Sequence, residues 1–69
     1  MQKIEIYTEY IKLDQFLKWV GIAETGAMAK VIIKSGDVYV NGVQTLERGK
    51  KIRKGDIIEV KNIGTFEVV

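Results

Sequence analysis

The chain has 69 residues, eleven lysines and arginines against nine carboxylates, a formal net charge of +2, and no histidine, cysteine or proline. That length makes one domain with a thin core, since a chain this short buries only about 60% of its unfolded surface, and neither a disulfide nor a Cys/His metal centre can reinforce it. The 46% hydrophobic content and balanced charge exclude a disordered chain, and no apolar run approaches the ~20 residues that span a bilayer.

Residues 3–7 (KIEIY) alternate in polarity, with Ile4 and Ile6 on one side. That is the period of a half-buried strand. This opening segment also lacks the apolar block of an export signal, so a cytoplasmic location is expected. A connector over 8–11 leads to a first helix over about 12–20. There Leu13, Phe16, Leu17 and Val20 form one apolar stripe, Asp14 suits the positive end of the helix dipole, and Gly21 closes the helix in a left-handed conformation. Trp19 lies off the stripe. It either fills the gap between helix and sheet, the commoner fate of a lone tryptophan, or offers a stacking surface.

A second helix is expected over about 26–35. Thr25 is its N-cap, Ala29, Ile32 and Ile33 are its buried face, and Gly36 is its stop. Lys30 and Lys34 share an outward face. Gly26 and Ala27 leave the N–H groups of the first turn uncovered. A strand region over about 38–45 follows, turned at Asn41-Gly42, the pair that favours a type I′ hairpin. The basic loop RGKKIRKGD over 48–56 comes next, with Ile52 pointing inward between Lys51 and Arg53. Strands over about 57–60 and 65–68 complete the order. Helices segregated from mainly antiparallel strands give an α+β class.

Catalytic chemistry is poorly supplied. There is no histidine base, no cysteine nucleophile, a single serine (Ser35) with no partner base, and no phosphate-binding glycine motif. A non-catalytic protein without cofactor, metal or small-molecule substrate is expected. What remains is a surface with uneven charge: residues 1–24 carry a net −1 and residues 25–69 a net +3. Each basic feature also has a plain explanation, as a solvated helix face, an ordinary cap or a protected strand edge.

The order of residues is more specific. KLDQFLKWVGI, then AK.IIKSGDVYVNG, then KIRKGDIIEV resembles the ribosomal-protein-S-four-type RNA-binding domain, the alpha-L motif. The matching pieces are Lys12-Leu13-Asp14, Phe16-Leu17 with Gly21, Ala29-Lys30 with Gly36, Val38-Tyr39-Val40-Asn41-Gly42, and Gly55-Asp56. They run through a core motif over about 11–60 of a single 1–69 domain. The ETGAMAK segment and the strand-forming N-terminal extension are closest to the small stand-alone YaaA/YbcJ-like branch. Two positions depart from the wider family. Lys12 stands where arginine is frequent, and Thr25-Gly26 stands where Ser-Arg is common, which removes a bidentate phosphate fork.

The resemblance implies two helices that present one side to structured RNA, chiefly ribosomal RNA, in ribosome assembly or function. The residues it places there are Lys12, Gln15, Lys18, Thr25, Gly26, Ala27, Lys30 and Lys34, with Arg48, Lys50, Lys51 and Arg53 as an auxiliary basic rim. Asp14 is implied to be structural. The implied partners are RNA and ribosomal particles, with the protein a monomer and no membrane involved. RNA-modifying enzymes often carry such a domain as an appended module, so any activity here would need a partner. The alternative is a small protein-interaction domain of β-grasp-like character. Its Val-x-Val-Asn-Gly and later Gly-Asp also occur in sulfur carriers, but those end in Gly-Gly and this sequence ends in Glu67-Val68-Val69.

Overall fold

The computed structural model describes all of residues 1–69. The chain order is β1 (Gln2–Ile4), β2 (Ile11–Lys12), α1 (Leu13–Trp19), α2 (Gly26–Lys34), β3 (Val38–Val40), β4 (Val43–Gln44), β5 (Lys51–Ile52), β6 (Ile57–Val60) and β7 (Gly64–Val68). Five strands form one sheet in the order β1-β7-β6-β3-β4, and β2 and β5 form a separate two-stranded ribbon. All pairs are antiparallel except β1 with β7, which run parallel.

Period-two alternation puts Val38 and Val40, Ile58 and Val60, and Phe66 and Val68 on one face of the sheet, all buried. The helices cover that face. Leu13, Phe16 and Leu17 of α1 and Ala29 and Ile33 of α2 are fully buried against it. Phe16 meets Phe66 edge-on, with ring centroids 6.2 Å apart. Full burial of each large apolar side chain contributes about 1.5–3 kcal/mol. The opposite face carries Lys3, Glu59, Glu67 and Tyr39, as a sheet with one solvated side does.

The helix signals in the sequence act as read. Thr25 Oγ1 accepts the Met28 N–H at 3.1 Å, and Gly21 and Gly36 follow their helices with φ of +83° and +89°. Asn41 and Gly42 both have positive φ, +51° and +83°, and join Val40 to Val43 as a two-residue hairpin turn.

Three details differ from the sequence reading. The first strand stops pairing at Ile4, although the chain stays beside β7 through Ile6 N–H to Val69 O at 3.1 Å. Helix α1 begins at Leu13, because Lys12 is held extended (φ −70°, ψ 147°) by its pairing with Lys51. The β2–β5 ribbon takes Ile11 from the expected connector, Lys12 from the expected helix start and Lys51-Ile52 from the basic loop. Two-residue strands carry too little alternation to stand out from a loop.

Candidate nucleic-acid interface

The two helix starts are built differently. At α1, the N–H of Leu13 donates to Lys50 O at 2.8 Å, and that of Asp14 donates to Arg48 O at 3.0 Å. Asp14 Oδ1 accepts the Gln15 N–H at 2.8 Å. The basic loop therefore caps α1 with its own backbone. Its Arg48 side chain lies 3.9 Å from the Asp14 carboxylate. Asp14 is a structural residue that ties this loop down, and its pairing with Arg48 is the only ion pair in the molecule.

At α2, Thr25 satisfies Met28, but the N–H groups of Gly26 and Ala27 have no acceptor within the protein. Gly26 has open space where a Cβ would stand. Unpaired N–H groups at the positive end of a helix dipole make such a start receptive to an anion.

The ribbon joins the first helix to the basic loop. Ile11 pairs with Ile52, and Lys12 with Lys51. Ile52 is fully buried and Ile11 half-buried, so the two lysines project from the opposite, solvent side. Residues directly paired in this way have Cβ atoms about 4.5–5.5 Å apart, and like charges there repel. Neither lysine has a carboxylate within ion-pair distance. Tyr10 lies beside them, with the Lys51 ammonium 4.9 Å and the Arg53 guanidinium 5.8 Å from its ring centroid. These contacts hold the two cations at one aromatic ring.

Lys12, Gln15, Lys18, Thr25, Ala27, Lys30 and Lys34 are all exposed, and Gly26 is half-buried. Helix α1 packs against α2 and against both ribbon strands, so these residues lie on adjoining elements. The rim divides. Arg48 is engaged by Asp14, Lys51 and Arg53 flank Tyr10, and Lys50 is free. Trp19 does not fill the gap between helix and sheet. It is 57% exposed, because its Nε1–H donates to Glu5 O at 3.1 Å and holds the indole at the surface.

The Lys12–Lys51 opposition and the role of Tyr10 were not read from the sequence. A signal for them exists: Tyr10-Ile11-Lys12 and Lys51-Ile52-Arg53 each place one isoleucine between two outward residues. A second missed relationship links the two turns of the motif. Asn41 Nδ2 donates to Asp56 Oδ1 at 3.0 Å, Asn41 Oδ1 accepts the Ile57 N–H at 2.9 Å, and Asp56 Oδ2 accepts the Arg53 N–H at 2.8 Å.

A family model described as S4 domain matches residues 4–69, nearly the whole chain. The chain belongs to the S4 domain family. It is also 41% identical over 66 residues to the probable ribosome maturation protein RlbA of Bacillus subtilis (strain 168), covering 96% of this chain and 93% of that protein. In this S4 domain, the helix pair and the Asn41-Gly42 and Gly55-Asp56 turns are parts of one frame. The turns brace the sheet on which the helices rest. The S4 match extends past the core motif into β7, consistent with β7 being an inner strand of the sheet.

Proposed function

We propose that this S4 domain is a non-catalytic RNA-binding protein that grips the phosphate backbone of structured RNA. Ribosomal RNA is the proposed target, with a role in ribosome maturation, as the name of the Bacillus subtilis relative suggests for that protein. The observation that carries the reading is the outward pair Lys12 and Lys51, held opposite each other with no carboxylate between them. Such a pair is unfavourable alone and favourable around a phosphate. Lys18, Lys30 and Lys34 on the adjoining helices and the open start of α2 at Thr25-Gly26-Ala27 extend the surface. Few aromatics and many ammonium groups suit a double-helical target, which is recognised largely through shape, 2′-hydroxyls and phosphates.

The test is binding of a structured ribosomal RNA fragment across a salt series. Log K should fall linearly with log salt, with a slope of roughly −0.7 to −0.9 per phosphate engaged. Replacing Lys30 and Lys34 by Ala should weaken binding evenly across RNAs and flatten the slope by roughly 1–2. Unchanged affinity in that variant would remove α2 from the site. Co-sedimentation with ribosomal particles, lost as salt is raised, tests the proposed target.

A further inference from the structure

We propose that Tyr10 is a positioning residue for the grip on RNA phosphates: its ring holds Lys51 and Arg53 in place beside Lys12 without cancelling their charge. This rests on the RNA-binding reading and names the residue that organises the ribbon part of that surface.

The ribbon supplies the frame. Ile11 is opposite Ile52, and Lys12 is opposite Lys51. The residues flanking the two isoleucines share the solvent side, since side chains alternate along a strand. One step further along this register sets Tyr10 against Arg53. Tyr10, Lys12, Lys51 and Arg53 are all exposed. The ring is the hub of the group, with the Lys51 ammonium 4.9 Å and the Arg53 guanidinium 5.8 Å from its centroid.

These tethers differ from that of Arg48. Arg48, in the same loop, is held by the Asp14 carboxylate 3.9 Å away, which offsets its charge. Lys51 and Arg53 are held by a neutral ring, whose quadrupole attracts a cation and leaves the net charge in place. No carboxylate lies within ion-pair distance of either, or of Lys12. Asp56, which touches this segment, accepts the backbone N–H of Arg53 and the Asn41 amide instead. Ordering a long, rotamer-rich side chain opposes binding, and a geometry set in advance removes part of that cost. Cations that are confined, adjacent and unneutralised repel one another until an anion sits among them. An RNA backbone carries its charges in series and can meet all three.

The test is titration of a structured ribosomal RNA fragment, over a salt series, with the wild type, Tyr10→Leu and Tyr10→Phe. Leucine keeps an apolar side chain on the ribbon but has no π face; phenylalanine keeps the face and lacks only the hydroxyl. Tyr10→Leu should bind roughly 3–30-fold more weakly with an unchanged salt slope, because no cation is lost. Tyr10→Phe should bind as the wild type does. The Lys51 Hε and Arg53 Hδ resonances, shifted by the ring in the free wild type, should move to ordinary values in Tyr10→Leu. In a Lys51→Ala/Arg53→Ala background, Tyr10→Leu should have no further effect. Wild-type affinity in Tyr10→Leu, with Lys51→Ala still weakening binding, overturns the inference and leaves the RNA-binding reading standing. An equal loss in Tyr10→Phe makes the hydroxyl a direct RNA contact and also overturns it. A flattened slope with thermal destabilisation in Tyr10→Leu makes the ring a structural support of the ribbon and overturns it as well. No RNA binding by the wild type overturns both.

Discussion

The carboxamide of Asn41 and the carboxylate of Asp56, fifteen residues apart, are joined by a 3.0 Å hydrogen bond. Asn41 also accepts the backbone N–H of Ile57, next to Asp56, and Asp56 accepts that of Arg53 within its own turn. A hairpin turn and a strand-entry turn thus become one clasp across β3 and β6. Asn41 also sits in the left-handed region, which asparagine tolerates better than most residues. We expect Asn41→Ala to destabilise the fold by about 1–3 kcal/mol, from two exposed hydrogen bonds and the strained φ. Urea unfolding of Asn41→Ala, Asp56→Ala and the double variant should give a coupling energy of about 0.5–1.5 kcal/mol. Additive effects would show that the clasp contributes nothing as a unit.

Lys12 and Lys51 should matter more to binding than to stability. Lys51→Ala relieves a like-charge contact but also removes the ammonium over the Tyr10 ring, so the two effects offset and stability should change by less than about 1 kcal/mol. RNA affinity should fall, with the salt slope flattened by roughly 0.7–0.9. Lys51→Glu, opposite Lys12, should stabilise the ribbon relative to Lys51→Ala and reduce binding more. Parallel thermal unfolding and RNA titration separate the two effects. A Lys51→Glu variant less stable than Lys51→Ala would contradict the repulsion.

Arg48 faces Asp14 at 3.9 Å with its side chain half exposed, a geometry in which ion pairs contribute about 0–1 kcal/mol. The loop is held mainly by the backbone bonds from Leu13 and Asp14. Arg48→Ala should therefore cost less than about 1 kcal/mol and leave amide exchange at Leu13 and Asp14 slow. Rapid exchange there would mean that the side chain, not the backbone, positions the loop.

Tyr7 has its phenol raised above the ordinary value of 10.0, first by its hydrogen bond to Glu5 and then by the negative charge of that carboxylate. A raised folded value means the interaction is fully present below about pH 10 and is lost as pH rises through the folded value. Glu5→Gln should bring the phenol back toward its ordinary range. Titration of the Tyr7 ring resonances by NMR measures both; no difference between the two proteins would discount the hydrogen bond in solution.

Gly36 closes α2 at a φ of +89°, and a Cβ there would meet the Gln44 carboxamide at 2.7 Å. Gln44 donates to the Gly36 carbonyl at 3.0 Å. Gly36→Ala should cost about 1–2 kcal/mol from the left-handed backbone alone, because the flexible end of Gln44 can move aside. Gly36→Ala combined with Gln44→Ala should recover little of that loss in urea unfolding.

Much of this architecture was legible because it rests on local chemistry. The Leu13–Phe16–Leu17 stripe, the Thr25 cap and the Asn41-Gly42 turn each carry their reason within a few residues. What was not legible depends on pairing across distance. The Tyr10–Lys12 and Lys51–Arg53 segments look like loops until the fold brings them together, and Asn41 and Asp56 each read as an ordinary turn residue. Trp19 shows the same limit. Its place off the apolar stripe was visible, but the acceptor that fixes it at the surface is the Glu5 carbonyl, fourteen positions earlier.

The parallel pairing of β1 with β7 has a consequence for synthesis. A nascent chain can wind both helices and close the β3–β4 hairpin from neighbouring residues, but Gln2–Ile4 has no partner until Phe66–Val68 has left the exit tunnel. Ile4 stays without its neighbour Val68 throughout that interval, and closure of the sheet waits for β7.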